Sequence, residues 1–283
     1  MPDFTAPITY QFPENEQLNA LTQIDYMSRI RSLAVSVFQW DNLPDGIPGR
    51  FIEQTLFSFG RALFFRVNDT GRLMVAKVSD SGMIDKYDAP ISYRAYASPD
   101  FNQDLPIEKC VLIRNNYDCI PTVRSVLLFV IRLAETERTI DINVKAQKTP
   151  LVFVCDQKQL QTLKMLFRKY DGNEPVIYAD KSLDMKGITC INPEVPYMAD
   201  KLMLYKRNIW NECMTYLGIN NANTDKKERL ITDEANANNQ LIEQSAAALL
   251  STRQEAAKEI NEMFGTDIRV SMRLKNEGQV TEK

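Results

Sequence analysis

The sequence predicts a mainly helical α+β protein, and two kinds of pattern support this fold class. Apolar residues recur at helical spacing over three long segments, 17–40, 197–217 and 241–264. Two β-rich runs, 61–67 and 73–78, flank an Asn-Asp-Thr-Gly turn and predict a hairpin. The helical segments hold more residues than the strand-like runs, so we expect a mainly helical chain with small β elements.

The remaining local elements follow from turn residues and short β-rich runs. The first helix is expected to end at the turn 42–46, and a second, short helix is predicted over 50–58. Further strands are predicted near 92–97 and 109–114, and another near 267–274, after the last helix.

The segment that begins at Pro121 contains conflicting local signals. Pro121 suits the first turn of a helix, and residues 123–134 are mostly apolar, as in a helix buried in a core or between subunits. Residues 139–144 alternate between apolar and polar types, which predicts a strand. No turn residue separates them from the preceding helix, so the local pattern leaves helix and strand both open.

A compact insertion is predicted between Pro150 and Pro193. Its expected elements, in chain order, are a strand, a helix and two more strands at 151–154, 156–170, 176–179 and 188–191. This β-α-β-β content, bounded by proline at each end, predicts a small unit of its own.

The helix predicted over 197–217 has two apolar stripes and one polar stripe. One apolar stripe comprises Met198, Leu202, Tyr205, Ile209, Cys213 and Tyr216, and the other Met203, Trp210, Met214 and Leu217. The polar stripe comprises Lys201, Asn208, Asn211, Glu212 and Thr215. Such a helix suits a ring or bundle in which it touches two neighbours and faces water. The alternative is a helix wedged between two layers of one monomer.

A long loop is expected after this helix. Gly218 predicts a Schellman ending, and the Asn-rich tract 220–240 separates it from the last helix. Structureless loops longer than about 12–15 residues are uncommon in compact domains and are often functional. Lys226, Lys227 and Arg229 lie in this loop among acidic residues. Taken alone it is a solvated loop, and only its repetition around a ring would create a multivalent DNA contact.

Composition narrows the class of protein. Hydrophobic residues make up 44% and charged residues 25% of the chain, as in ordinary globular proteins. The net charge of −3 argues against a general nucleic-acid coating protein, which would carry a basic excess. No signal-peptide pattern occurs, and the longest apolar run, 126–131, is too short to span a bilayer. We therefore expect a soluble protein.

The residues that most catalytic sites require are missing. The chain has no histidine, which excludes imidazole bases and histidine-ligated metals. Its carboxylates form no spaced cluster, and its five cysteines, expected to be reduced and buried, form no CxxC unit. No nucleotide-binding or hydrolase motif occurs. We therefore expect no enzyme, no cofactor and no metal, and a magnesium-dependent nuclease is the rival hypothesis from the enzyme class.

Seven segments carry a resemblance to a known family: 38–44, 51–60, 143–150, 170–180, 195–202, 210–234 and 255–265. In this order they resemble the portal proteins, or upper-collar head–tail connectors, of small short-tailed phages with protein-primed genomes, of the Picovirinae type. The longest, WNECMTYLGINNANTDKKERLITDE, covers 210–234. The resemblance is dense over 143–265 and weak over about 61–118.

The resemblance implies the phage portal fold, assembled as a ring of twelve subunits around a channel for double-stranded DNA. It implies a helical stem, an α/β clip, a wing and a short crown. The corresponding domains are a wing at 1–119, stem helices at 120–149 and 194–219, a clip at 150–193, a channel loop at 220–240, and wing or crown at 241–283. Residues 139–144 are then expected to continue the stem helix.

The resemblance also implies roles for individual residues. Lys201 on the stem and Lys226 and Lys227 in the loop match lysines that contact DNA in the channel, and Arg229 lies beside them. Subunit contacts are expected from Leu202, Tyr205, Ile209 and Trp210.

The implied function is a non-enzymatic portal at the unique capsid vertex, which conducts DNA during packaging and ejection. The implied partners are further copies of the chain, double-stranded DNA, a packaging ATPase, packaging RNA, and capsid, scaffold and lower-collar or tail proteins, with no membrane. The implied location is the virion, and the host cytoplasm during assembly. The alternative hypothesis is a ring-shaped collar or tail adaptor without a packaging role.

Two features depart from the family pattern. Asn192 occupies the position of a further channel lysine, so one positive ring is absent. The basic N-terminal tail that the family associates with packaging RNA is also absent, because the first basic residue here is Arg29. The residues of this tail therefore do not support RNA binding.

Overall fold

A computed structural model of the chain describes residues 15–97, 101–148, 152–154, 189–191, 196–220 and 232–273. Within them the chain is an α+β protein, as predicted. It divides into two compact units, one made of Met1–Glu135 with Lys206–Lys283 and the other of Thr136–Tyr205. None of the described helices is long and apolar enough to cross a membrane.

The described residues contain five α-helices, all of which the sequence predicted. They are α1 Asn15–Val35, α2 Gly49–Phe59, α3 Thr122–Lys148, α4 Ala199–Tyr216 and α5 Thr232–Phe264. The largest difference is at α5, which begins at Thr232 rather than at 241. The tract 232–240 has no Gly or Pro, and Asn costs a helix about 0.7 kcal/mol at most. A helix nucleated further along can therefore extend back through it.

Nine described strands form three antiparallel sheets. They are β1 Phe38–Asp41, β2 Arg61–Arg66, β3 Leu73–Asp80, β4 Ser92–Tyr96, β5 Asn102–Pro106, β6 Cys110–Arg114, β7 Val152–Val154, β8 Thr189–Ile191 and β9 Arg269–Met272. The larger sheet has the order β5-β4-β3-β2-β6, and β1-β9 and β7-β8 are two-stranded. The predicted hairpin is β2-β3. β5 was not predicted, since only Leu105 of its five residues is buried and it has no apolar alternation.

The first helix was predicted to extend too far, because its last residues form strand β1. α1 ends at Val35, and β1 pairs with β9, with Trp40 opposite Val270. Phe38 and Trp40 are buried whereas Gln39 between them is exposed, which is the alternation of a strand. A run of four residues is too short for its pattern to distinguish a strand from the end of a helix. The partner strand β9, which makes β1 a strand, lies near the other end of the described chain.

α3 is continuous through residues 139–144, so the helix expected from the resemblance is confirmed and the strand alternative is wrong. Ile140 is buried, but Ile142 and Val144 are 64% and 49% exposed, so the alternating apolar residues do not form one buried face. Asn143 fixes this part of α3. Its Nδ2 donates to the carbonyl oxygen of Pro196, and its Oδ1 accepts from the backbone N–H of Met198, both at 3.0 Å.

The insertion predicted at 150–193 is described at its first and last strands. β7 and β8 pair antiparallel, with Val152 opposite Ile191. The helix predicted at 156–170 and the strand predicted at 176–179 lie outside the described residues.

A buried ion pair joins distant segments of the larger unit. The guanidinium of Arg253 on α5 donates two hydrogen bonds of 2.9 Å to the carboxylate of Glu53 on α2, and both side chains are 3% exposed. Trp40 Nε1 also donates to Glu53, at 2.8 Å. Arg253 donates further to the backbone and side-chain oxygens of Asn115 and lies 4.3 Å from the ring centroid of Phe38. The network therefore links β1, α2 and α5 to the turn after β6.

Candidate functional site

The helices α3 and α4, predicted as the channel stem, pack against each other. In the unit made of Met1–Glu135 and Lys206–Lys283, Val130 of α3 lies in a buried cluster with Ile209 and Cys213 of α4. In the unit Thr136–Tyr205, the hydrogen bonds of the Asn143 side chain join α3 to the residues that lead into α4. Each unit thus fixes its own part of the helix pair.

The turn that ends α4 is the predicted Schellman motif. The backbone N–H of Ile219 donates to the oxygen of Met214 at 2.9 Å, and that of Gly218 donates to Thr215 at 3.0 Å. Gly218 has a φ of +70°, and a Cβ built on it would lie 2.7 Å from both Cα and Cβ of Ala246 on α5. The end of the predicted stem helix is therefore held tightly against α5, just before the predicted loop.

The structure describes one of the four predicted DNA-contact residues. Lys201 lies in the first turn of α4 with an exposed side chain. Lys226, Lys227 and Arg229 lie outside the described residues, so their role stays a prediction. Asn192, where the resemblance implies a missing lysine ring, lies outside them as well.

The four residues predicted for subunit contact differ in exposure. Tyr205 is 48% exposed, and Leu202 is half-buried. Trp210 is half-buried against the ring of Tyr26, with 6.5 Å between centroids. Ile209 is only 1% exposed and packs in the chain's own core. Its side chain is therefore covered by its own chain and leaves almost no surface for contact with a neighbouring subunit.

Apolar side chains other than the four predicted for subunit contact also lie exposed on α3 and α4. On α3, Leu127, Leu128 and Ile131 are 47%, 64% and 45% exposed. On α4, Met203 and Leu204 are also exposed. Sequence analysis predicted only that the apolar part of α3 would be buried in a core or between subunits. That pattern, apolar residues on more than one face of α3, does not tell whether the same chain or a neighbouring subunit covers each face.

The polar stripe predicted on α4 faces away from the core of the larger unit. Asn208 and Glu212 are exposed, and Asn211 and Thr215 are half-buried. Glu212 pairs with Arg132 of α3 at 3.3 Å, an exposed contact on the same surface. α4 therefore has both a buried apolar side and a polar surface.

Burial makes two of the described thiols, Cys213 and Cys110, poor nucleophiles at neutral pH. Burial, with a smaller effect from the charge of Glu212, raises the pKa of Cys213 to about 12. Burial, with Glu108 nearby, raises the pKa of Cys110 to about 11. Neutral thiols are poor nucleophiles and poor metal ligands. In the described part of the chain, no group of three or more His, Cys, Asp or Glu residues could hold a metal ion.

Comparison with known proteins identifies the family. A structure of the portal and tail of native bacteriophage P68 is similar at 14% identity and a TM-score of 0.45, covering 95% of this chain and 94% of that chain. An HK97 family phage portal protein from Corynebacterium diphtheriae is similar at 9% identity and a TM-score of 0.48, covering 92% and 94%. Both TM-scores lie below 0.5, so these two similarities do not by themselves assign the chain to a family. The model of the family described as Phage Connector (GP10), however, matches residues 14–276. The chain belongs to the phage connector (GP10) family.

Proposed function

We propose that this connector protein is the portal of a short-tailed phage with a protein-primed genome, in which copies of the chain form a ring around a double-stranded DNA channel. The observation that carries the proposal is the exposure of apolar side chains on α3 and α4 in a chain of the connector family. Its role is structural and requires no catalysis.

The exposed apolar side chains favour assembly into a ring. Leu127, Leu128 and Ile131 lie within two turns of α3, and all are close to half-exposed or more. Burial of a large apolar side chain contributes about 1.5–3 kcal/mol, and monomers rarely expose contiguous apolar patches. A neighbouring copy of the chain would cover them. Trp210 on α4, in the same unit, would add to these contacts, and Leu202 and Tyr205 would contribute contacts of the unit Thr136–Tyr205.

The charge of the chain suits DNA passage better than DNA storage. Duplex DNA carries one negative charge per ~1.7 Å of axis. A strongly basic channel would hold DNA in place, and a uniformly acidic one would repel it. The net charge here is −3, and the proposed channel lysines are few: Lys201 and the adjacent pair Lys226 and Lys227. Repeated around a ring, they would give weak contacts that let DNA slide and oppose backward slippage.

The remaining domains would serve the partners of a portal. In this proposal the insertion 150–193 is the clip that docks the packaging ATPase, and the wing and crown residues meet capsid, scaffold and tail proteins. The location is then the capsid vertex of the virion. A collar or tail adaptor would also form a ring, and dependence of DNA packaging on the protein separates the two functions.

Ring formation is tested by the mass of the purified protein in solution and by particle images of the same sample. We expect a ring of about twelve subunits with a central hole. Leu128→Lys should shift the protein towards smaller species, since it places a charge in the proposed contact. Met83→Lys, at a residue 71% exposed outside the helices, is the matched control and should leave the ring intact. A wild-type protein that stays monomeric at high concentration would contradict the proposal.

The double variant Lys226→Ala/Lys227→Ala should form rings of normal mass but allow packaged DNA to slip out of particles. The reason is that two positive charges per subunit disappear from the proposed channel. Retained DNA per particle is the measurement, and Lys258→Ala, at a lysine 78% exposed on α5, is the control. Loss of ring assembly, or full retention of DNA by the double variant, would count against a role in the channel.

A further inference from the structure

A groove of about 730 Å³ lies between α1, β1 and the start of α2, apart from the residues predicted for the channel. All of the residues that line it belong to the unit made of Met1–Glu135 and Lys206–Lys283. Three arginines contribute to its wall, Arg31 from α1, Arg50 from α2 and Arg273 just after β9. We call it the arginine groove. The fold brings these three together from distant positions in the chain.

The positive charge of the arginine groove is not neutralised by the described part of the chain. Arg31, Arg50 and Arg273 are exposed, and no described carboxylate forms an ion pair with any of them. With the Gln54 amide turned so that its oxygen faces Arg50, the Arg50 guanidinium donates to that oxygen at 3.0 and 3.2 Å.

The single acidic side chain that lines the arginine groove does not offset this charge. Among the lining residues the structure describes, Glu53 alone is acidic. Its carboxylate is already engaged by two hydrogen bonds from Arg253 and one from Trp40. The groove therefore presents three guanidinium groups with no free counter-charge from its own wall.

The other lining groups fit phosphate rather than a peptide. Ser28 and Ser32 add hydroxyl groups, and Gln39 adds an amide whose Nε2 donates to Asp41 at 2.7 Å. Arg, Ser and Gln are among the side chains that contact phosphates in protein–nucleic acid interfaces. A peptide interface depends on accessible apolar or aromatic anchors. The aromatic residues here, Phe38 and Trp40, are 3% and 9% exposed and belong to the core.

We propose that the arginine groove binds the phosphate groups of a nucleic acid backbone, at a site separate from the predicted channel residues. Guanidinium groups form bidentate hydrogen bonds with phosphate, and this groove presents three of them. The site needs neither ring formation nor the predicted channel lysines, so it can fail or hold independently of the proposed portal function.

The test is binding of a short labelled DNA duplex to the full-length protein, measured by fluorescence anisotropy over a range of NaCl concentrations. The groove variant is Arg31→Gln/Arg50→Gln/Arg273→Gln. The matched control is Arg66→Gln/Arg72→Gln/Arg114→Gln, which removes the same charge from exposed arginines of the larger sheet and its hairpin turn. Loss of three phosphate contacts should weaken binding about tenfold or more. It should also reduce the slope of log Kobs against log salt by about 2–3. The control should change both quantities much less.

Three results would overturn the proposal. Equal weakening in the groove variant and the control would mean general electrostatic attraction. Competition by polyglutamate as strong as that by DNA of equal charge would assign the groove to an acidic polypeptide. Binding of inorganic phosphate without binding of DNA would mean a small-anion site only. If the triple variant has a lowered melting temperature, the single variant Arg31→Gln replaces it in the same measurement. Its expected change in the slope of log Kobs against log salt is about 1.

Discussion

Arg253→Met should lower the free energy of unfolding by about 3–5 kcal/mol, because it leaves the Glu53 carboxylate buried without its partner. The pair is 3% exposed on both sides, and its hydrogen bonds tie α5 to α2. The same substitution also removes donors from the backbone and side-chain oxygens of buried Asn115. Urea unfolding followed by circular dichroism measures the change.

An exposed arginine pair supplies the control for this prediction. Arg269 contacts Asp267 at 3.0 Å, but the two side chains are 71% and 66% exposed. Arg269→Met should therefore cost about 0–1 kcal/mol. Adding Glu53→Gln to Arg253→Met should recover part of the loss, since no unpaired charge then remains buried. If Arg253→Met and Arg269→Met cost the same, the buried pair is not a major source of stability.

Gly218→Ala should lower the stability of the chain by about 2–5 kcal/mol, from two separate causes. An alanine at a φ of +70° carries about 1–2 kcal/mol of backbone strain, and its Cβ would lie 2.7 Å from Ala246. Such overpacking costs about a further 1–3 kcal/mol. The melting temperature should fall clearly, because α4 and α5 must separate to admit one methyl group.

Gly265→Ala is the matched control for the Gly218 substitution. Gly265 follows α5 with a φ of +69°, almost the same backbone conformation, but a Cβ there meets no atom within 4 Å. Gly265→Ala should therefore lower stability only by the cost of backbone strain, about 1–2 kcal/mol. Equal losses at the two glycines would show that the contact with Ala246 does not limit packing. A larger loss at Gly218 measures how firmly the start of the predicted channel loop is anchored.

The sequence predicted those elements whose signal is local. Helical spacing indicated the described helices, and the Asn-Asp-Thr-Gly turn indicated the hairpin β2-β3. Gly218 predicted the Schellman ending that the hydrogen bonds confirm. The segment 139–144 needed the family resemblance, because its period-two alternation contradicts the helix it forms.

The candidate site was predictable in part. Lys201 and Tyr205 lie exposed on the predicted helix, and Leu202 is half-buried there. Ile209, on the same predicted stripe, is instead buried in the chain's own core. Helical spacing identifies which residues share a face, but not whether a neighbour in the same chain or in another copy covers that face. Only the packing of α3 and α1 against α4 shows which residues of α4 are covered by the same chain.

The sequence by itself determined the fold class, the presence of the described helices and the family. Each of these rests on residues close together in the chain or on segments that follow one order along it. The tertiary structure alone decided three features: the pairing of β1 with β9, the buried contact of Glu53 with Arg253, and the meeting of Arg31, Arg50 and Arg273 in one groove. The physical reason is common to all three. Their partners are far apart in sequence, and the attraction between them takes effect only when hydrophobic burial has brought the segments together.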